Sequence, residues 1–267
     1  MTTNTATPNP SAGPDPSDAL SGSLLRLGDN GLILGHRLSE WCGKTPALEE
    51  DIALANTALD LIGQAQLWLE LAGECEGDGR SADDLAYRRD ASDFRHALLV
   101  EQPNGDYGRT LVRQFLFDAW HLPTLRALAA SSDARVAAIA DKASREVAYH
   151  LERSTDLIVR LGDGTDESHA RMQGALDALW PYADELRGAD EAERALAADG
   201  IAADPDAVAA AWEAHVGEVL RHATLVRPED GRGRYKGDGR RGRHGEHLGH
   251  LLAEMQCLPR AYPDARW

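Results

Sequence analysis

Three cysteines in 267 residues, at positions 42, 75 and 257, form no CxxC and are too sparse and odd in number for a disulfide framework, so a reducing compartment is expected. Basic residues are also short, with 28 Lys and Arg against 44 Asp and Glu, and the net charge of −16 disfavours nucleic acid as a partner. No stretch approaches the roughly 20 apolar residues of a membrane span. Residues 1–19 contain neither Lys nor Arg and no apolar run, which excludes a secretory signal. Their Pro, Ser and Thr content reads as a disordered tail. GxxxxGK[ST], GxGxxG and GxSxG are all missing, so common nucleotide sites and hydrolase chemistry have no support. Strand runs bounded by hairpin turns are missing too. A protein of the cytoplasm is expected.

What is present is helical periodicity from residue 20 to near the end, predicting an all-α domain over 20–267. Helices are expected at about 20–42, 45–73, 106–130, 133–161, 165–187, from 205, and 245–260. Short pieces at Ser81 and 92–101 separate the second from the third. Thr45 and Pro46 read as the N-cap and first position of the second helix. Its Leu48, Ile52, Ala55, Leu59, Ile62, Gln66 and Leu69 read as a bundle seam. Pro123 predicts a kink in the third long helix. Four helices of about 25 residues suggest a bundle.

Bundles of this kind hold two irons when four carboxylates and two histidines point inward, a Glu from each of two helices and Glu-x-x-His from each of the other two. Spacing of three places both ligands of a pair on one helix face. Here the first helix offers Glu40, one turn after His36, and the second offers Asp60, followed at +3 by Gly63. The third offers Asp118, with His121 at +3 on a helix that needs only a carboxylate. The fourth offers Glu146, but Tyr149 stands at +3 and His150 is one residue late. Going from +3 to +4 turns a side chain by about 100° about the axis. The carboxylates are therefore roughly in place and the histidines are not. Two readings stand: a di-iron site of unusual geometry, or a buried hydrogen-bonded polar cluster at vestigial iron positions. The failed spacings favour the second.

His244, His247 and His250 in "RHGEHLGH" could bind zinc, but lack a third fixed ligand and more simply cap and line the last helix. Residues 221–244 carry a local charge of +5 with five glycines, leaving −21 elsewhere. The Gly/Arg-rich part at 227–243 reads as a loop, with Arg240, Arg241 and Arg243 as candidate contacts for an anion.

Long stretches have a further likeness. "LRLGDNGLILGHRLSEWCGKTPALEEDIALANTALDLIGQAQ", "LVEQPNGD", "REVAYHLERS" and "AEMQ" before a terminal Trp resemble the C-subunit family of bacterial phenylacetyl-CoA 1,2-epoxidases. The likeness runs from about Leu24 to Trp267 and is weaker at the start and at 229–243. It implies a ferritin-like helical fold and a structural, non-catalytic subunit in aerobic phenylacetate degradation. It also implies a catalytic A subunit that pairs with this chain, holds the di-iron centre and epoxidises the ring of phenylacetyl-CoA. A reductase subunit with FAD and an iron–sulfur centre would supply electrons from NADPH. On this reading the chain binds no cofactor of its own. The alternative is a di-iron oxygenase using Glu40, Asp60, Asp118, Glu146 and His150 itself.

Overall fold

A computed structural model describes residues 16–230 and 238–265. The chain forms α1 (Pro16–Ser39), α2 (Leu48–Glu76), α3 (Ala82–Tyr87), α4 (Leu98–Glu101), α5 (Tyr107–Leu128) and α6 (Ala134–Gly162). There follow α7 (Asp166–Leu179), α8 (Asp184–Arg187), α9 (Glu191–Ala198), α10 (Pro205–His222), α11 (Glu246–Met255) and α12 (Cys257–Ala261). Among the described residues there is no β-strand; one antiparallel bridge joins Asp238 and Arg243. Helix α1 starts at Pro16, inside the stretch read as tail; residues 1–15 lie outside the described residues.

The four long helices pair as α1 with α2 and α5 with α6, and α2 meets α6 across the bundle. Helices α7 and α10 pack on the outer side of α5 and α6. Glycines set the first pairing: a Cβ at Gly28 would stand 2.7 Å from Leu69 Cδ2, and one at Gly31 would stand 3.0 Å from the Leu61 carbonyl. Only glycine allows two helix backbones so close. Trp68, Phe115, Phe117, Trp180 and Trp212 are all buried in one continuous core. An ion pair of Asp29 on α1 with Arg89, both buried, ties the bundle to the 82–101 segment, and Asp29 Oδ2 also accepts from the Arg95 amide at 2.8 Å.

Several boundaries differ from the sequence reading. Helix α2 begins at Leu48 after Ala47, not after Thr45, whose hydroxyl instead donates to Asp51 at 3.0 Å. It ends at Gly77, which is left-handed (φ 73°) and closes the last turn, one turn beyond Gly73. Its buried face runs through Leu54, Ala58, Leu61, Ala65, Trp68 and Leu69, while Leu48, Ile52 and Leu59 are exposed. Two apolar stripes share the helical period here, and the period alone did not tell core from surface. Helix α5, by contrast, runs from Tyr107 to Leu128 with Pro123 inside it, close to the expected 106–130. The stretch at 165–187 breaks at Trp180–Tyr182, around Pro181, into α7 and α8, and α9 was not foreseen. The last helix splits at Gln256 into α11 and α12.

Candidate functional site

At the junction of α2, α5 and α6 lies a polar group inside the apolar bundle. Asp118 of α5 is fully buried, accepting from Gln114 Nε2 at 2.7 Å and from Ser154 Oγ at 3.0 Å. Burial pushes its carboxyl up to about 6, against the pull of His150 and these two donors. On α6, His150 is buried and its Nε2 lies 2.9 Å from Asp60 Oδ2 of α2. The Asp60 side chain is 38% exposed, so this pair sits at the edge of the seam rather than on the bundle axis. Glu146 accepts from Gln64 Nε2 of α2 at 2.8 Å. His121, packed against Phe117 and Trp120, is held neutral: burial, then the nearby His150, lowers it to about 3.

Glu40 joins none of these. Helix α1 has ended at Ser39, and Glu40 lies in the following turn, bound to Arg37 at 2.8 Å and to Asn104 Nδ2 at 2.9 Å. Tyr149 is 59% exposed and faces away from the interior. Among the described residues, no three of Asp60, Asp118, Glu146 and His150 bring donor atoms within 4.8 Å of one another. The residues therefore do not fit a six-ligand di-iron site. Each carboxylate has its donor from within the chain: an amide, a hydroxyl or an imidazole. Gln64, Gln114 and Ser154 were missed by the sequence reading. Their one signal was a spacing of four from Asp60, Asp118 and His150, which any helix face produces by chance.

A second buried cluster surrounds Glu101, at the end of α4. Its Oε2 lies 3.0 Å from His96 Nε2 and 2.9 Å from His244 Nδ1, and its Oε1 accepts the Gly245 amide at 2.7 Å. Burial works to raise this carboxyl, but the bonds from His244 and His96 prevail and hold it at about 2. Burial also lowers His96, so its ring is neutral. These three donors lie within 4.8 Å of one another, as metal ligands would. The rings of His96 and His244 stack 4.2 Å apart at 25°, and both nitrogens that face Glu101 bond its one oxygen, Oε2. His244 also meets the Phe94 carbonyl through Nε2 at 3.0 Å, and Gly245 is the N-cap of α11. The arrangement is a hydrogen-bonded clasp that closes the C-terminal segment over α4. Of the other two histidines, His247 offers its carbonyl to Arg37 at 3.3 Å and His250 is exposed.

The "EQPNGD" turn that follows Glu101 is held from inside by two buried arginines. Arg37 donates to the Glu101 carbonyl at 2.9 Å, and Arg113 donates to the Gln102 carbonyl and to Asn104 Oδ1. Burial, then the neighbouring Arg37, lowers Arg113 to about 9. In the basic loop, Arg240 is turned inward onto Glu193 and the Gly188 carbonyl, and Glu193 also binds Arg26 at 2.9 Å. Arg241 and Arg243 remain 67% exposed, 3.6 and 3.3 Å from Asp238. Arg232, Arg234 and Lys236 lie outside the described residues. Behind Arg240, a cleft lined by Leu27, Trp120, Leu128 and Val208 encloses about 80 Å³, far below the ~300 Å³ that a ligand pocket needs.

The family model for phenylacetic acid catabolic proteins, PaaA_PaaC, matches residues 1–267. The chain belongs to this family. Within the PaaA/PaaC family, the chain is 48% identical over 248 residues to the C subunit of 1,2-phenylacetyl-CoA epoxidase from Escherichia coli (strain K12). That match covers 93% of this chain and 99% of the relative. No described helix is long and apolar enough to cross a membrane.

Proposed function

We propose that this chain is the C subunit of a phenylacetyl-CoA 1,2-epoxidase and acts in it as a structural, non-catalytic partner of the catalytic A subunit. The bundle is taken to be ferritin-like, and Asp60, Asp118, Glu146 and His150, with Glu40 outside the bundle, are taken as vestiges of iron positions. The observation that carries this reading is the state of the inner cluster. Its carboxylates are satisfied by Gln64, Gln114, Ser154 and His150, while the +3 positions hold Gly63 and an outward Tyr149. A bundle that serves by its packing retains its seams once the ligands are gone. Its polar remnants then persist only where the chain supplies hydrogen bonds. The oxidation of phenylacetyl-CoA, and the use of di-iron, FAD, iron–sulfur and NADPH, belong on this reading to the other subunits.

In the loop, Arg241 and Arg243 are placed to meet an anion, either an acidic surface or the phosphates of coenzyme A. Arg240 serves instead to hold α9. The test is iron per chain after expression of this subunit alone with iron supplied. The proposal expects well under 0.2 iron per chain. Close to two irons, with an oxygen-dependent absorption after reduction, would overturn it in favour of a self-sufficient di-iron oxygenase.

A further inference from the structure

In the Glu101 clasp a ring lone pair is turned toward a carboxylate. His244 is held through both nitrogens, and both partners are acceptors: Nε2 meets the Phe94 carbonyl at 3.0 Å and Nδ1 meets Glu101 Oε2 at 2.9 Å. A neutral imidazole carries one N–H and satisfies one of them. The carbonyl can only accept, so that N–H belongs at Nε2, and Nδ1 is left with its lone pair against the carboxylate oxygen. The contact holds only with a cation between the two atoms, a second proton or a metal ion. His96 brings Nε2 to the same oxygen at 3.0 Å. Its buried Nδ1 has no partner among the described residues, so Nε2 carries that ring's only hydrogen bond.

The surroundings are those of a metal ligand set. Two imidazoles and a carboxylate are one of the combinations that zinc takes. A ligating histidine almost always donates its other N–H to an acceptor such as a backbone carbonyl, as His244 does to Phe94. A ligating carboxylate is itself hydrogen-bonded, as Glu101 Oε1 is by the Gly245 amide at 2.7 Å. Zinc bonds of about 2.0–2.1 Å at tetrahedral angles separate ligand atoms by about 3.3 Å. The two nitrogens therefore need to draw back from Oε2 by only about 0.4 Å. All three side chains are 4% exposed or less. Gln102 and Gly245, next to two of the ligands in the chain, line a surface cleft of about 250 Å³ with Tyr182 and His247. That cleft gives the ion a way in and supplies water for a fourth coordination position.

We propose that His96 Nε2, Glu101 Oε2 and His244 Nδ1 form a zinc site that fastens the C-terminal segment to α4. On binding, the ion takes the place of the protons between these atoms, which leave to solvent, and three coordinate bonds replace two hydrogen bonds. His244 lies 143 positions after Glu101, so the ion closes a long loop and its binding energy becomes stability of the folded chain. The site is independent of the epoxidase reading. It takes a single ion, uses none of Glu40, Asp60, Asp118, Glu146 and His150, and prefers zinc to ferrous iron, as N/O ligand sets do.

The test uses the full-length chain, stripped with EDTA, desalted and then given zinc chloride. Bound metal is counted by mass spectrometry after a second desalting, and affinity is read by competition with a chromophoric chelator. About one zinc ion per chain is expected, with a melting temperature that zinc raises and EDTA lowers again. His244→Gln should weaken zinc binding by more than the roughly 10–100-fold that losing a supporting bond costs. His250→Gln, at an exposed histidine of α11, should bind zinc like the unmodified chain. Hydrogen exchange of the unmodified chain needs no variant: zinc should slow it most in residues 94–102 and 239–256. An unmodified chain that keeps no zinc after desalting would overturn the proposal and leave a proton as the cation of the clasp. Zinc held as tightly by His244→Gln, or exchange slowed elsewhere and not in these two segments, would overturn the assignment of the ligands. If His244→Gln does not fold, the exchange pattern of the unmodified chain decides.

Discussion

Replacing Asp118 by Asn is expected to stabilise the protein at neutral pH. The carboxyl is fully buried and its folded pKa is about 6, against about 3.9 for an unhindered Asp. Below pH 4 it is protonated in both the folded and unfolded chain, and burial of the charge costs nothing. Between 4 and 6 the folded state keeps a proton that the unfolded state has released. Stability therefore falls as pH rises through this window and is level above it. Two pKa units correspond to about 3 kcal/mol at pH 7. Asn keeps the shape, and its carbonyl can accept from Gln114. Its amide can donate to Ser154 Oγ, whose hydrogen turns to the Leu151 carbonyl at 3.3 Å. Urea unfolding of both proteins from pH 4 to 8 tests this. The variant should exceed the wild type by about 2–3 kcal/mol at pH 7, with the gap closing toward pH 4. A variant less stable at pH 7, with a difference that does not depend on pH, would refute the reasoning. The carboxylate would then be a net asset in its hydrogen-bonded site.

The clasp has the opposite sign. Glu101, held at about 2, stabilises the fold above its ordinary value near 4.3, and this contribution drains away as pH falls toward 2. Glu101→Gln should destabilise by about 3 kcal/mol at pH 7, lose that acid limb, and make residues 238–256 sensitive to limited proteolysis. Gly239→Ala should lower stability by about 2 kcal/mol, read by thermal melting, because a Cβ there would lie 2.3 Å from the His96 carbonyl oxygen. Tyr149→His restores the Glu-x-x-His spacing in sequence, yet the new ring would stand at an exposed position, so iron content should not rise above the wild-type value in a colorimetric assay. Partial iron uptake by this variant would show that α6 can turn its +3 position inward.

Much of the helical order was legible from capping and periodicity. Asp133, Thr165 and Asp204 cap α6, α7 and α10 through their side chains, at or beside the helix starts expected near 133, 165 and 205. The off-by-one at Tyr149 and His150 was also visible; that Tyr149 is exposed and His150 buried was a finding of the structure. The face of α2 was misread, because apolar residues line two sides of that helix and only the neighbours decide which is core. Glu40 was placed on α1 because the turn after Ser39 has no proline or glycine until Gly43. The Glu101 clasp was out of reach for a different reason. His96, Glu101 and His244 are separated by up to 148 positions, and no local pattern links them.

The sequence by itself determined the helical class, the positions of most helix starts and the failure of the iron-ligand spacing. All three are properties of neighbours along one chain, set by backbone geometry within a few residues. The tertiary structure decided which apolar stripe of α2 is buried and which donors satisfy Asp118 and Glu146. It also decided that Arg240 faces inward while Arg241 and Arg243 do not. Those outcomes depend on which helices come to lie side by side, and burial and hydrogen bonding are settled only there.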